Sequence, residues 1–322
     1  MALTRTEAIN HPMMKKNWYY CLELQPGVFT PGREHRNIIL TRDLLRRISV
    51  EGCNCLDIGT MEGLVSILLL RRGAGNVTSY DRIDFSEWIR FIEENLAISF
   101  NYTCGYSLNH LKTNLAATGL APFDVVIFSG VLYHMFDPLA GLAIVRGLTR
   151  NGGLMLIETS AVFTEKDECL MHFNNSGRFF PGTNYWQISV SCLDYLLRTL
   201  RYELLDVSFY KGAIRDGIRQ GRIAVVCRAV NKPISSPGDE WMPKTAKEGG
   251  MPDFLPDFRE YIDWHEISEK NNGDVPYASP PPERYLHPGT QSLSLFQTVN
   301  NSPETKLISS DDQVRLKLDA LY

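Results

Sequence analysis

Cys53-Asn-Cys-Leu-Asp57-Ile-Gly59-Thr60-Met61-Glu62-Gly63, followed by Leu64-Val-Ser-Ile-Leu-Leu-Leu-Arg71-Arg72-Gly73, is the stretch on which the fold turns. Its first residues read as a short buried strand. Gly59 to Gly63 read as a turn, and the leucine-rich run as a helix that stops at Gly73. A strand, a glycine turn and a helix open a layered α/β sheet, in which ligands bind beyond the carboxyl ends of the strands. Gly59 lets backbone approach a ligand there, and Gly63 allows close packing at the helix start. Thr60 sits between them. Asp57 can accept a hydrogen bond from a ligand's ammonium, directly or through water. Phosphate suits the turn poorly, because Glu62 repels it. No Lys-Ser pair follows, which excludes a nucleotide-triphosphate loop. Taken alone, the glycines also suit a purely structural turn.

Working outward, Asn76–Asp81 reads as a second strand and Phe85–Leu96 as a helix. Ala97–Gly105 reads as a third strand. Phe123–Gly130, nearly all apolar, reads as a central fourth strand. A helix from Pro138 with a glycine-rich stop leads to the fifth strand, Leu154–Ser160, and a further helix follows Ile188. Tyr202–Tyr210 and Gly221–Val230 supply a final antiparallel pair at the sheet edge. Asp81 ends the second strand, 18 residues after Gly63. A carboxylate there can bind both hydroxyls of a ribose, or it is a cap or a surface charge.

This α/β domain is expected over 35–229, entered through an amphipathic helix near 34–48. Before it lies an arm, 1–34, whose Trp18, Tyr19 and Tyr20 either anchor the arm or line a pocket. Residues 230–322 hold 11 of the 17 prolines and 15 acidic against 9 basic residues. Their aromatics argue against full disorder. Extended chain packed over the domain is expected, as an active-site cover or an oligomer contact, with one helix in Pro256–Lys270.

Apolar residues make up 44% of the 322 and charged residues 22%, a globular composition. The net charge of -4 does not suggest a general nucleic-acid binder. Seven scattered cysteines read as buried free thiols and fit a reducing, cytoplasmic setting. Neither a signal peptide nor a membrane span is read, and no metal site is expected.

From Asp57 to about Val207 the chain resembles the class I S-adenosylmethionine-dependent methyltransferases, which have a Rossmann-like sheet with helices on both faces. The resemblance is carried by the glycine turn and by Phe123–Ser160. More narrowly, Gly130-Val-Leu-Tyr-His-Met-Phe-Asp-Pro138 with Gly152–Thr159 resembles the branch containing tRNA wobble-uridine carboxymethyltransferases and related small-molecule methyltransferases. The resemblance implies S-adenosylmethionine as cofactor. Asp57, Gly59, Thr60 and Gly63 would hold its methionine part, and Asp81, beside Arg82, its ribose. Tyr106, Ser107 and Leu108 would border adenine. Ser129 and Gly130 would flank the transferable methyl.

The donor methyl sits on an activated sulfonium, so the acceptor must be aligned and water kept out. His134, after Tyr133 at the top of the central strand, is the candidate base; the alternative is a loop cap against Asp137. Glu158, at the end of the fifth strand, needs a partner in an apolar run and would orient an acceptor ammonium or an arginine. His172, Arg178 and Tyr185 lie in a long loop, 161–188, expected to act as a lid. Arg33, His35 and Arg36 can meet a substrate carboxylate or are surface charges. A small-molecule methyltransferase, with homodimerisation as one use of the C-terminal region, is the expected function. The alternatives are a tRNA-modifying methyl- or carboxymethyltransferase and a non-catalytic scaffold. No motif supplies a basic pocket for a carboxylated donor, which favours ordinary S-adenosylmethionine.

Overall fold

The computed structural model describes residues 3–32, 37–119, 122–174, 184–215, 217–230 and 293–305. The arm opens with helix α1 (Arg5–Asn10). Thr4 and Glu7 form a reciprocal capping box there. A hairpin of β1 (Glu23–Gln25) and β2 (Val28–Phe29) follows, and α2 (Asn37–Leu45) leads into the domain.

Five strands then pair in parallel: β3 (Asn54–Ile58), β4 (Asn76–Asp81), β5 (Asn101–Cys104), β6 (Phe123–Ser129) and β7 (Thr149–Phe163). Their connecting helices are α3 (Leu64–Arg71), α4 (Ser86–Leu96), α5 (Leu108–Thr118) and α6 (Pro138–Leu148). After α7 (Val190–Thr199) come β10 (Tyr202–Arg215) and β11 (Ile218–Ala229), antiparallel to each other, with β11 antiparallel to β7. The sheet order is β10-β11-β7-β6-β3-β4-β5, so strand order reverses between β3 and β6. This is the layered α/β sheet expected from the sequence.

Strand β6 shows why the sheet needs helices on both faces. Val126 and Phe128 join a core with Leu111 and Leu115 of α5, Leu142 and Val145 of α6 and Leu193 and Leu197 of α7. Val125 and Ile127 join the opposite core with Leu44 of α2, Leu68 of α3 and Ile92 of α4. Each such side chain, fully buried, contributes about 1.5–3 kcal/mol.

Three elements differ from the sequence reading. Helix α5 was not expected; its inward face is only Leu108, Leu111 and Leu115, set among polar residues. Strand β7 does not end near Glu158 but runs to Phe163, because Ala161, Val162 and Phe163 pair on with β11. The segment 161–188 is therefore not one loop. Its ends carry β8 (Met171–Phe173) and β9 (Trp186–Ser189), and β9 pairs parallel to β7 at Ala161 and Val162, beyond the point where β6 stops.

In the C-terminal region the described part is 293–305. Its helix α8 (Leu295–Asn301), capped by Ser294, buries Leu295 and Val299 in the core. Leu295 N donates to Asp194 of α7 at 2.7 Å, and Thr305 N to the Phe209 carbonyl of β10 at 2.8 Å. The helix expected in Pro256–Lys270 lies outside the described residues.

Candidate active site

At the end of β3 the backbone turns through Gly59 (φ 82) and Gly63 (φ 83), and Met61 takes a left-handed φ of 48 in the place of a middle glycine. Asp81, closing β4, holds that conformation. Its Oδ2 accepts from Met61 N at 2.9 Å, and its Oδ1 accepts from Ile83 N at 2.9 Å. Each oxygen retains capacity for a further donor. Asp57 is 2% exposed, and its Oδ2 accepts from the hydroxyls of Thr60 and Ser66, both at 2.7 Å. Burial pushes its carboxyl up to about 6, with Ser66 and Thr60 opposing. Burial also raises Asp81 above the usual carboxylate range. Glu62 is 1% exposed. Its Oε1 accepts from Tyr19 N at 2.5 Å, its buried Oε2 has no hydrogen-bond partner, and burial pushes it up to about 7.

At the end of β6 a second turn passes through Gly130 (φ 74). A Cβ on Gly130 would make only ordinary van der Waals contact, with Tyr133 Oη at 3.8 Å and Glu158 Oε2 at 4.0 Å, so the position is uncrowded. A Cβ on Gly59 would instead lie 2.3 Å from Val131 Cγ2. Glu158, buried within β7, is bound bidentately by Arg222 of β11, with Nε to Oε1 and Nη2 to Oε2 both at 2.7 Å. The Arg222 guanidinium stacks 4.6 Å over the Tyr133 ring, and its Nη2 reaches Tyr133 Oη at 3.4 Å. Tyr19 approaches from the arm. Burial raises its phenol's pKa, and Tyr133, Arg222, Glu158 and Glu62 all act on it electrostatically. The ion pair has no net charge. Tyr133 receives an N–H and keeps its own proton to donate.

The rim beyond is aromatic. His134 is exposed, its ring centroid 4.2 Å from that of Tyr133. Tyr185 N donates to the Tyr133 carbonyl at 2.9 Å, Phe136 packs edge-on against Tyr185, and Trp186 Nε1 donates to the Phe136 carbonyl at 2.8 Å.

A family model described as a methyltransferase domain matches residues 33–200, a span that contains both turns. The chain belongs to this methyltransferase domain family. Among curated proteins, the tRNA U34 carboxymethyltransferase of Dichelobacter nodosus is 34% identical over 119 residues, covering 35% of each chain. The ubiquinone biosynthesis O-methyltransferase of Cereibacter sphaeroides is 35% identical over 118 residues, covering 37% of this chain and 45% of that protein. The matches thus span about a third to a half of the length of these relatives. Among solved structures, the N-terminal domain of EvdMO1 with SAH bound aligns with a TM-score of 0.50 and 15% identity, over 71% of this chain and 98% of that one. That likeness is one of fold.

Within the methyltransferase domain, the residues expected from sequence fall into distinct places. Asp57 and Thr60 lie beneath the first turn, bonded to each other, with Asp57 Oδ2 engaged by the hydroxyls of Thr60 and Ser66. Arg82 is exposed. Tyr106 packs on Tyr80 with centroids 5.4 Å apart and its hydroxyl lies 2.5 Å from that of Thr103. Ser107 is exposed beside His110, and Leu108 is in the core. The Ser129 hydroxyl is 2.7 Å from that of Thr41 in α2. Tyr133, Glu158 and Gly130 come together. His134 and Tyr185 stand at the rim, and His172 lies in β8 opposite Gln187. Arg33, His35, Arg36 and Arg178 lie outside the described residues.

Two members were missed. Arg222 was read only as part of an apolar strand, although an arginine there can mirror the lone Glu158 of the neighbouring strand. Tyr19 was read as an arm anchor or a pocket wall, with no partner residues named. Both lie outside the matched span. Among the described residues no group of His, Cys, Asp and Glu could hold a metal, and no helix is long and apolar enough to cross a membrane.

Proposed function

We propose that this chain transfers a methyl group from S-adenosylmethionine to a neutral small-molecule acceptor. The observation that carries the reading is the methyltransferase-domain match laid over one crevice, where the Gly59–Gly63 turn, Asp81 and the open Gly130 turn meet at the reversal of strand order. The residues fit the donor: the buried Glu62 Oε2 lacks a partner, acidic groups await a cation, and the Gly130 position is uncrowded. Asp81 would take the ribose hydroxyls, Tyr106 would border adenine, and the glycine turn would hold the methionine part. When bound, S-adenosylmethionine supplies a methyl already activated by its sulfonium.

The chain's own work is then alignment and exclusion of water. Tyr133 donates a hydrogen bond to an oxygen or nitrogen of the acceptor, with its ring fixed by Arg222. Glu158 holds Arg222, and so acts on the acceptor only through it. His134, at the rim, takes the acceptor's proton. Tyr185 and Phe136 wall the entrance. Arg222 is already neutralised, which argues against a donor with an added carboxylate. All seven cysteines are free thiols, which supports a cytoplasmic setting. The bounds 1–34, 35–229 and 230–322 remain our division of the chain, with the last segment as cover or homodimer contact.

The curated likeness to tRNA U34 carboxymethyltransferases supports a second reading, modification of tRNA. Incubation of a small-molecule extract and a separate tRNA pool with methyl-labelled donor decides between them. Label in the small-molecule pool is expected. Label in tRNA, with binding that weakens as salt rises, would replace the first reading by the second. Donor binding without label in either pool would leave a scaffold. In the labelled pool, His134→Asn should lower turnover about 100-fold or more while donor affinity and thermal melting hold; unchanged turnover would remove His134 from catalysis.

A further inference from the structure

We propose that Glu62, and not Asp57, is the carboxylate that receives the α-ammonium of the donor's amino-acid end, while its other oxygen ties the N-terminal arm down over that end. The assignment rests on the donor reading above. Asp57 spends Oδ2 on Thr60 and Ser66 beneath the turn. Glu62 lies on the turn itself, with Oε1 taken by the Tyr19 amide and Oε2 buried and bare. A buried carboxylate oxygen without a donor is costly. Burial is the main cost to its charged form; the backbone amides of Tyr19, Glu62 itself and Tyr20 offset part of it, and Asp81 adds a little like charge.

The position is also right along the crevice. The Tyr19 amide is fastened to Glu62, and Tyr133, Arg222 and Glu158 of the second turn act electrostatically on the Tyr19 phenol. Tyr20 packs edge-on against Tyr19 with ring centroids 4.8 Å apart, and Tyr19, Glu62, Asp57 and Glu158 all act electrostatically on its half-buried side chain. The arm thus crosses from the first turn to the second, over the span that joins the donor's amino-acid end to its sulfur. An ammonium on Oε2 would complete the carboxylate that holds this bridge. Residues 17–20 lie outside the matched span, so this closure is a feature of the chain around its family domain.

The test compares two probes by calorimetry on the full chain. S-adenosylhomocysteine carries the amino-acid end, and 5′-methylthioadenosine lacks it. Glu62→Gln, which keeps shape and removes charge, should weaken S-adenosylhomocysteine by at least about tenfold and leave 5′-methylthioadenosine within about twofold. Asp57→Asn measured alongside should not show that selective loss. The 5′-methylthioadenosine arm also reports whether each variant keeps a folded adenosine pocket. Equal losses for both probes, or no loss for either, would overturn the role of Glu62 alone. Wild-type protein that binds neither probe would overturn the donor reading and the assignment with it.

Discussion

Around the first turn, Asp57, Glu62 and Asp81 are buried with only hydroxyls and backbone amides as the hydrogen-bond donors seen above. At the second turn, Glu158 is buried against the guanidinium of Arg222. Burial raises all three carboxyls of the first group above their ordinary values. One end of the crevice therefore holds negative charge in want of a cation, and the other neutralises itself. The proposed function draws on that contrast, with a cationic donor at one end and a neutral acceptor at the other. The contrast also says where each end is fragile: the second should fail when its pair is broken, and the first should respond to ligand and to pH.

The largest effect is expected at the self-neutralised end. Arg222→Met leaves Glu158 buried and unpaired, which should cost about 3–5 kcal/mol of stability. Chemical denaturation measures it. Arg222→Met with Glu158→Gln should recover a good part, since the uncompensated charge is gone. A loss under about 1 kcal/mol for the single variant would mean that water reaches Glu158 and that the two ends do not differ.

The next effect is on binding at the first turn. Asp81→Ala should weaken S-adenosylhomocysteine by about 1.5–3 kcal/mol, a charge-assisted bond to ribose being lost. It also frees Met61 N, so a melting curve should accompany the titration. NADH should bind far more weakly than S-adenosylhomocysteine; the reverse preference would break the comparison at its donor end.

The two ends also differed in how far they could be read from sequence. The first turn is contiguous, and Asp81 follows at a fixed distance down the next strand, so the motif carries its own geometry. The second site is drawn from residues 19, 133, 158 and 222, which only the sheet brings together. Glu158 was visible as a misplaced charge. Its partner was hidden because β11 looked complete as an apolar strand, and the register that sets Arg222 diagonally across from Glu158 is a tertiary fact. The same limit explains β7. Its end was set at the last residue of an apolar run, while the length of β11 decides it. Helix α5 escaped because one inward face of three leucines is a weak period among Asn, Lys and Thr.

A pH effect of about 1–3 kcal/mol should come from the first turn alone. Asp57 and Glu62 have folded values of about 6 and about 7 against ordinary values of 3.8 and 4.5. Between those limits the folded state binds protons that the unfolded state releases, so stability falls as pH rises. Their contribution is complete below about pH 4 and gone above about pH 7. Ligand-free protein should therefore melt higher near pH 5.5 than near pH 8, and Glu62→Gln should flatten the difference. A wild-type profile that Glu62→Gln leaves unchanged would show that Glu62 is solvated.

The smallest stability change is expected at Gly130, and it is the sharpest probe of the open end. Gly59 and Gly130 share a left-handed backbone, so alanine costs either of them about 1 kcal/mol of strain. Beyond that they diverge. At Gly59 the new methyl would overlap Val131 Cγ2 at 2.3 Å, adding the cost of an overpacked core. At Gly130 it would make only ordinary contact, 3.8 Å from the Tyr133 hydroxyl and 4.0 Å from Glu158. Gly130→Ala should then melt close to wild type while losing affinity for S-adenosylhomocysteine, because the methyl occupies the position assigned to the donor's sulfur. Gly59→Ala should show the greater loss of stability. Two variants with equal melting losses would mean that the space over Gly130 fills with the chain's own side chains. Gly130→Ala with unaltered affinity would move the sulfur, and the acceptor with it, away from Tyr133.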